Sequence, residues 1–518
     1  MRDYPQRFDV YDTTLRDGAQ QEGLRLTVSD KLRIAKLLDQ LGVGFIEGGW
    51  PGANPNDTAF FEAAAQLEFQ HAVLTAFGAT RKAGVQVEDD PLVQALIDAG
   101  TDVVCIVAKS HDEHVFRALK TTLEENLAMV RDTVAYLRSH GKRVFVDCEH
   151  FFDGYRANPE YALQVVRVSA EAGAEVVVLC DTNGGMLPTW VGEIVTQAVQ
   201  TGANIGIHCH NDTGCAVANT LAAVDAGANH VQGTINGHGE RTGNADLITV
   251  VADLQLKYGW PLTDSLKDAS RIAHGIAGVT NVPVSGRQPY VGQSAFAHKG
   301  GLHASAIKVD ANLYQHIDPG LVGNDMRMLV SDMAGRANVQ IKGSELGYDL
   351  DGPNAARITD RVKAAEMEGY SYESADASFE LVIRDELGLG QDFFKVLSWR
   401  VLTSNVVSPE GDSEAVVKLR IGDKVEALVG EGEGPLNALD VALRKGLEGT
   451  YPQVENFELT DYRVRILDQG HGTDAIVRTL IDATDGERTW TTVGVGNNVI
   501  EASWEALLDS YRWSLSVL

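Results

Sequence analysis

The amino-acid sequence predicts an α/β protein: a (β/α)₈ TIM barrel, a helical connector subdomain, and a C-terminal α+β domain made of two similar halves. Three observations support this fold. Up to about residue 255, eight short β-branched runs alternate with amphipathic helical patterns, which is typical of a parallel sheet with crossover helices. Several helical patterns end in glycine, and the last part of the chain repeats a glycine motif. We expect domains at residues 1–260, 261–392 and 393–518.

The strand-like runs follow one another at the spacing of a barrel. After the first run, Thr27 and Asp30 predict a capping box, and the apolar residues that follow recur at i, i+3, i+4 and i+7, as in a helix. Eight such units in about 250 residues match the size of a TIM barrel. The runs are Phe8–Thr13, Gly44–Gly49, Ala72–Phe77, Asp102–Val107, Arg143–Cys148, Glu175–Cys180, Asn204–His210 and His230–Thr234.

Four connections between helix and strand carry a glycine: Gly42, Gly100, Gly173 and Gly227. Each stands where a left-handed cap ends a helix before the next strand begins. A doubly wound open sheet is the structural alternative, but the glycine fingerprint of a dinucleotide-binding fold is absent after the first strand. We therefore expect a barrel, whose functional groups collect at the C-terminal ends of the strands.

Two histidines form the centre of the predicted site. Side chains of a strand alternate between faces, so His208 and His210 point the same way. Such a pair is often structural, but Asp17 after strand one and Asn244 after strand eight supply oxygen donors. Strands one, seven and eight are consecutive in a closed barrel, so these four side chains can surround one cation. Two nitrogens, two oxygens and two open positions suit Mg²⁺ or Mn²⁺; a closed zinc site would favour thiolates, although Zn²⁺ remains an alternative.

Other strand ends carry further carboxylates: Glu47, Asp147, Glu149 and Asp181. Asp147 and Glu149 are two residues apart and share a face. Each of these acids is equally compatible with a solvated loop position or a helix cap. We favour Glu149, which is nearest the barrel mouth, as the residue that faces inward.

The composition limits the kinds of partner and compartment. The formal net charge of −28 argues against nucleic acid and anionic membrane surfaces, because both are polyanions. The sequence has no apolar run of transmembrane length and no signal-peptide pattern at its start, so we expect a cytoplasmic protein. The five cysteines, an odd number, predict reduced and mostly buried side chains.

The alternation of strands and helices stops at about residue 260. An extended stretch leads to a polar cluster of small residues at Phe296–Ile307, which contains His303 and continues to Asn312 and Tyr314. This cluster is unusual for a linker and is a candidate functional segment.

A repeat organises the end of the chain. Val429–Gly434 matches Val493–Asn498 at an offset of 64 residues, and each copy has strands before it and an amphipathic helix after it. Two copies of one unit predict a pseudo-symmetric domain. The glycines lack the context of a phosphate loop, and we interpret them as loops that bind a small zwitterionic effector.

Several motifs together resemble a known enzyme family. They are similar to those of the metal-dependent Claisen-condensing barrel enzymes, which include 2-isopropylmalate, homocitrate and citramalate synthases. The resemblance covers nearly the whole chain, including a C-terminal repeat like the family's regulatory dimerisation domain. The residues that carry it are Arg16, Asp17, Gln20, Thr182, His208, His210, Gly237–Asn244, Gly301–His303 and Tyr314.

Two stretches bear on the substrate. Gly48–Asp57 looks like the citramalate-forming branch, whereas the isopropylmalate branch usually carries Glu where this chain has Ala19. The resemblance therefore implies acetyl-CoA and pyruvate as substrates and a divalent metal ion as cofactor.

The resemblance also implies roles for individual residues. Arg16 would stabilise the alkoxide that forms, and His303, supported by Tyr314, would take part in removing a methyl proton of acetyl-CoA in the partner subunit's barrel. Whether His303 or Glu149 is the base stays open. The implied catalytic residues are Arg16, Glu149, His303 and Tyr314; the implied substrate-binding residues are Arg16, Gln20, Thr182 and Asn312; the implied metal ligands are Asp17, His208, His210 and Asn244.

The family resemblance further implies a homodimer under feedback control, with isoleucine as the expected effector. Three other interpretations remain. A 2-isopropylmalate synthase would act on 2-oxoisovalerate and respond to leucine. A lyase or aldolase on the same barrel is disfavoured by the C-terminal repeat, and a non-catalytic amino-acid sensor is disfavoured by the complete set of metal ligands and Arg16.

Overall fold

Eight parallel strands close into a barrel in chain order, and β1 pairs with β8. The predicted TIM barrel is confirmed, and an open doubly wound sheet is excluded because such a sheet would leave two unpaired edges. The strands are β1 (Asp9–Asp12), β2 (Phe45–Gly49), β3 (Val73–Ala79), β4 (Val103–Lys109), β5 (Arg143–Glu149), β6 (Val176–Asp181), β7 (Ile205–Cys209) and β8 (His230–Gly233).

This computed structural model describes residues 3–404, 413–467 and 475–517. They divide into two units: residues 1–296 with 317–325 form the first, and residues 297–316 with 326–518 form the second. The helices of the first unit are α1 (Val28–Leu41), α2 (Pro55–Ala64), α3 (Pro91–Asp98), the single turn α4 (Asp112–His114), α5 (Leu123–Ser139), α6 (Phe151–Ala157), α7 (Pro159–Glu171), α8 (Pro188–Val199), α9 (Ala216–Ala226), α10 (Leu247–Leu256) and α11 (Ala269–Thr280).

Local sequence signals set the ends of these helices as expected. Thr27 and Asp30 form a capping box at the start of α1, because each side chain accepts a hydrogen bond from the other residue's backbone N–H. The glycines of the four helix-to-strand connections all have positive φ, as at Gly42, where φ is 87°. These caps turn each helix sharply into the next strand.

The barrel buries two apolar layers. The larger lies between the strands and the surrounding helices, and its members include Ile34, Leu38 and Phe60. The smaller lies inside the barrel, as in other (β/α)₈ barrels, so the interior is packed and is not an open pore. The interior residues are Tyr11, Phe45, Phe77, Val103, Cys105, Phe145, Val176, Val178 and Cys180.

The second unit combines short connector elements with two antiparallel sheets. The connector elements are β9 (Ala297–His298), α12 (Gly301–Ile307), β10 (Arg327–Met328), α13 (Arg336–Glu345), α14 (Gly352–Met367) and α15 (Asp376–Glu386). The sheets and their helices are β11 (Lys395–Thr403), β12 (Ser413–Ile421), β13 (Lys424–Gly432), α16 (Pro435–Leu447), β14 (Glu458–Ile466), β15 (Val477–Thr484), β16 (Thr489–Gly496) and α17 (Val499–Ser516).

The two sheets confirm the predicted internal repeat, because each consists of three antiparallel strands followed by one helix. The glycine motifs, however, are not loops throughout. Gly430 is in β13 and Gly494 is in β16, and a Cβ atom there would lie 2.2 Å from the carbonyl oxygen of Ala438 and 2.1 Å from that of Ala502, respectively. Both glycines are needed because a helix backbone lies directly against the strand.

Cysteine placement agrees with the prediction: Cys105, Cys148, Cys180 and Cys209 are buried and all five cysteines are free. Among the described residues, no helix combines the length and the apolar character that crossing a membrane requires.

A buried ion pair fixes the segment after β2. The ammonium group of Lys31 on α1 donates to Asp57 Oδ1 at 2.5 Å and to the carbonyl oxygen of Gly48 at 2.9 Å, and Asp57 Oδ2 accepts from the backbone N–H of Trp50 at 2.9 Å. The side chains of Lys31 and Asp57 are only 4% and 10% exposed. The pair therefore ties α1, α2 and the end of β2 together.

Replacing Asp57 by Ala is expected to lower the stability of the barrel by about 3 kcal/mol, because it leaves the buried Lys31 charge without a partner. The thermal unfolding midpoint measured by calorimetry checks this. Glu62→Ala, an exposed carboxylate on the same helix, is the matched control and should change stability by less than about 0.5 kcal/mol. Equal shifts in the two variants would contradict the assignment.

Candidate active site at the barrel mouth

Three ligand side chains converge at the C-terminal ends of β1 and β7. Asp17 follows β1, His208 lies in β7, and His210 comes directly after β7. His208 Nε2 lies 3.3 Å from His210 Nε2 and 3.5 Å from Asp17 Oδ2, and His210 Nε2 lies 3.8 Å from the same oxygen. All three residues are buried. The structure therefore contains a group that can hold a metal ion.

The separations fit a small divalent cation. Ligand atoms that share one ion at about 2.0–2.2 Å stand roughly 3 to 4 Å apart, as these three do. His208 Nδ1 lies 2.9 Å from the side-chain oxygen of Gln232, so Nδ1 carries the proton and Nε2 presents its lone pair to the cluster. Two facing imidazole nitrogens and a carboxylate oxygen repel one another unless a cation or proton stands between them.

Asn244 adds an amide group to the cluster. Its Nδ2 donates to Asp17 Oδ1 at 3.2 Å, and its Oδ1 is buried without a hydrogen-bond partner among the described residues. Because amide oxygen and nitrogen exchange by rotation, the amide can turn its oxygen to a cation. Gly239 makes room for it: a Cβ at that position would lie 2.3 Å from Asn244 Nδ2, and φ there is +146°. Gly239 thus permits the close approach of the Asn244 side chain.

The charges around Asp17 stabilise its ionised form. Burial opposes ionisation, but the charges of Arg16 and the two histidines outweigh it and lower the pKa of Asp17 to about 2. Burial also lowers the pKa of His210 to about 4 and lowers that of His208. At neutral pH the cluster therefore consists of one carboxylate and two neutral imidazoles, the forms that ligate metal ions.

Arg16 is held beside this cluster by two carboxylates. Its Nε donates to Glu47 Oε2 at 2.5 Å and its NH1 donates to Asp17 Oδ2 at 3.0 Å. Its guanidinium carbon lies 3.9 Å from the centroid of the Phe77 ring. Burial opposes the charge, yet Glu47 and Asp17 raise the pKa of Arg16 above its ordinary value. The site thus keeps a permanent cation in a fixed orientation.

A buried polar chain extends from His208 across the barrel interior. Gln232 on β8 lies between His208 and Asp147 on β5, and its Nε2 donates to Asp147 Oδ1 at 3.0 Å. Burial raises the pKa of Asp147 to about 7, against the effect of the Arg16 charge. Glu47, Cys105 and Asp147 form a second group whose ligand atoms lie close together. Asp147 therefore faces inward, beneath the ligand cluster.

Glu149 and Thr182 lie at the ends of β5 and β6. The Glu149 carboxylate forms an ion pair with Lys109 on β4, and both side chains are about one-quarter exposed. Thr182 Oγ1 accepts a hydrogen bond from the backbone N–H of His150 at 2.8 Å, and the Thr182 carbonyl accepts one from Arg241 at 2.8 Å. Both predicted residues therefore stand at the barrel mouth, while Gln20, after β1, is exposed.

The remaining predicted residues lie in the second unit. The rings of His303 and Tyr314 are in contact, with centroids 4.1 Å apart and an interplanar angle of 30°. His303 and Asn312 are exposed, and Tyr314 is 44% exposed. The Asn312 side chain donates to Asp310 Oδ1 at 3.0 Å. The structure thus pairs His303 with Tyr314.

Comparison with known proteins places this arrangement in a family. The HMGL-like family model matches residues 7–274, more than half of the chain. The (R)-citramalate synthase of Streptomyces coelicolor is 60% identical over 516 residues, which cover 98% of this chain and 96% of that protein. The chain belongs to the (R)-citramalate synthase family.

Other members of the family and neighbouring enzymes define the relationship further. The (R)-citramalate synthase of Aquifex aeolicus is 50% identical over 98% of this chain and 97% of its own length. The 2-isopropylmalate synthase of Methanocaldococcus jannaschii is 30% identical over 98% of this chain and 94% of its own length. Identity therefore favours the citramalate branch.

Two further family models match most of the rest of the chain. The model described as homocitrate synthase post-HMGL domain-like matches residues 290–369, and the LeuA allosteric (dimerisation) domain matches residues 373–514. The second match confirms that the C-terminal repeat resembles an allosteric dimerisation domain.

Sequence reasoning left three polar contributors of the site without a role. The strand-end pattern identifies Glu47 and Asp147 as acids but does not connect them to Arg16, and it gives Gln232 no role. One sequence signal points to Gln232: it is an amide between Val231 and Gly233, in the strand next to the histidine strand. A polar residue inside a barrel must find a partner there.

Replacing Asp17 by Asn is expected to weaken Mn²⁺ binding by more than about 100-fold, because losing even an outer partner of a ligand typically costs 10–100-fold. Titration of free Mn²⁺ by electron paramagnetic resonance measures this. Glu240→Gln is the matched control, since Glu240 precedes Asn244 in the same loop and its side chain is 55% exposed. Unchanged affinity in the Asp17→Asn variant would exclude this cluster as the metal site.

Proposed function

We propose that this chain is an (R)-citramalate synthase, an acyltransferase that joins the acetyl group of acetyl-CoA to pyruvate and releases citramalate and CoA. The observation that carries the proposal is Arg16, fixed beside the Asp17–His208–His210 cluster at the barrel mouth. Identities of 45–60% to five (R)-citramalate synthases along nearly the whole chain support the choice of substrate.

The cofactor in this proposal is a divalent metal ion, Mg²⁺ or Mn²⁺, with Zn²⁺ as the alternative. Asp17, His208, His210 and Asn244 would hold it, and their donor set of two imidazoles and two oxygen groups suits such ions. When bound, the ion makes the keto carbon of the 2-oxo acid more electrophilic.

Arg16 supplies the second electrostatic element. Glu47 and Asp17 hold its guanidinium, which lies over the Phe77 ring. In the condensation a carbon–carbon bond forms at the keto carbon, and the keto oxygen becomes an alkoxide. A preorganised guanidinium that donates to this oxygen stabilises the developing charge without reorganisation.

Thr182 and Glu149 complete the pocket for the 2-oxo acid. The Thr182 hydroxyl oxygen accepts from His150, so its own proton is available for the substrate carboxylate. We assign Gln20 and Asn312 to substrate binding as well. Glu149, paired with Lys109, stands close to the reacting carbons in this proposal.

The acetyl group needs a base, and we assign that step to His303. A neutral imidazole removes a proton from the methyl carbon of acetyl-CoA, and the electron pair left on that carbon attacks the keto carbon. Tyr314, in ring contact with His303, orients the imidazole. Protonation of the alkoxide and hydrolysis of the thioester by water then give citramalate and the free thiol.

We further propose a homodimer that works in the cytoplasm in isoleucine biosynthesis and is inhibited by isoleucine. The match of residues 373–514 to an allosteric dimerisation domain supports the dimer and the regulation. Free cysteines suit a reducing compartment. In this proposal residues 1–260 form the catalytic domain, residues 261–392 form the connector subdomains, and residues 393–518 form the regulatory domain.

With Mn²⁺ or Mg²⁺ present, thiol release from acetyl-CoA is expected to show a kcat/KM for pyruvate at least about tenfold above that for 2-oxoisovalerate, because two extra methyl groups must fit the pocket. Assays with 2-oxobutyrate run in parallel. Preference for 2-oxoisovalerate would instead assign the chain to leucine biosynthesis, and release with none of the three acids would refute the proposed activity.

Replacing His303 by Ala is expected to lower kcat by about 100-fold or more, the usual contribution of a positioned base. His140→Ala is the matched control, since His140 is exposed at the C-terminal end of α5, at the end of the barrel opposite the mouth. Steady-state kinetics with both variants check the assignment. Near-normal turnover of the His303 variant would move the base to Glu149, which Glu149→Gln then tests.

A further inference from the structure

We propose that Gln232 and Asp147 are positioning residues that hold His208 in the tautomer and orientation which bind the metal ion. The inference rests on the proposed metal site and concerns residues that have no assigned role in it. Neither residue supplies a ligand atom: Gln232 contacts the His208 ring, and Asp147 acts through Gln232.

The contacts form one continuous line inside the barrel. Gln232 on β8 is in register with His208 on the neighbouring strand β7. Its side-chain oxygen lies 2.9 Å from His208 Nδ1, and its Nε2 donates to Asp147 Oδ1 at 3.0 Å. The residues His208, Gln232 and Asp147 are 4%, 0% and 4% exposed. Both contacts are therefore shielded from solvent.

The chemistry of the three groups determines which atom donates and which accepts in each of these hydrogen bonds. A neutral imidazole carries one proton, so His208 can offer Nε2 to a metal ion only when the proton is on Nδ1. An acceptor must then face Nδ1, and Gln232 provides its oxygen. Alone, an amide could rotate and present its N–H instead, which would favour the opposite tautomer.

Asp147 removes that ambiguity. Asp147 Oδ1 accepts from Gln232 Nε2, and this contact holds the orientation in which the amide oxygen points to His208 Nδ1. Arg16 NH2 lies 4.0 Å from Asp147 Oδ2, so the second carboxyl oxygen faces the guanidinium and Oδ1 is left to Gln232. Partners behind a histidine ligand commonly fix its tautomer and raise its affinity for the metal ion.

Mn²⁺ binding by the full chain, measured from free Mn²⁺ by electron paramagnetic resonance, tests this inference without turnover. Gln232→Leu should weaken binding about 10- to 100-fold, and saturating Mn²⁺ should restore most of kcat, because the substrate-binding residues are intact. Val178→Ala is the control for a cavity in the barrel interior, since Val178 is equally buried and apolar. It should bind Mn²⁺ like the unmodified chain at a similar loss of thermal stability.

Asp147 provides an independent arm in case Gln232→Leu does not fold. Asp147→Ala should weaken Mn²⁺ binding, and Asp147→Asn should weaken it less, because the amide oxygen can accept from Gln232 but the amide can also turn its N–H to it. The Gln232→Leu/Asp147→Ala double variant should bind no more weakly than Gln232→Leu alone. Folded Gln232→Leu and Asp147→Ala variants that bind Mn²⁺ within about threefold of the unmodified chain would overturn the inference. If the unmodified chain bound no Mn²⁺, the proposed metal site itself would fail.

Discussion

The site depends on one buried carboxylate. Glu47 on β2 is fully buried and accepts hydrogen bonds from Tyr11 at 2.6 Å, Thr13 at 2.5 Å and Arg16 at 2.5 Å, all of them on or just after β1. A carboxylate removed from water without partners costs several kcal/mol, so the fold that buries Glu47 must bring these three donors with it. The orientation of Arg16, and through it the charge around Asp17, follows from that requirement.

Closure of the barrel then brings the other ligands to Arg16 and Asp17. β1 pairs with β8 as well as with β2, and β8 pairs with β7. Residues that follow the first strand of the barrel therefore lie beside residues of its last two strands at the barrel mouth. His210 and Asn244 even share an isolated backbone bridge, which holds the loop after β8 against the end of β7. The cluster of Asp17, His208 and His210 is therefore a consequence of the parallel closed topology, in which all strand ends of one kind lie on one face.

These relations explain which parts of the site could be predicted from the sequence alone. Period-two spacing placed His208 and His210 on one face, and counting strands brought Asp17 and Asn244 to them; both arguments use local patterns and topology. The contact of Gln232 with Asp147 joins β8 to β5 across the barrel, and that contact depends on the layer each side chain occupies. Strand tilt and stagger determine the layer in which a side chain lies, and neither can be derived from the spacing of residues along the chain.

In the C-terminal domain the glycine repeat is visible in the sequence, but its physical cause differs from the one that the repeat suggests. Gly430 and Gly494 recur because strands β13 and β16 each lie directly against the backbone of the following helix, Ala438 and Ala502 being their counterparts at the same 64-residue offset. The two helices share one apolar core, in which neither half could bury its helix alone. The glycines are thus explained by packing, and the proposed effector site is supported by the match to an allosteric domain and not by a glycine loop.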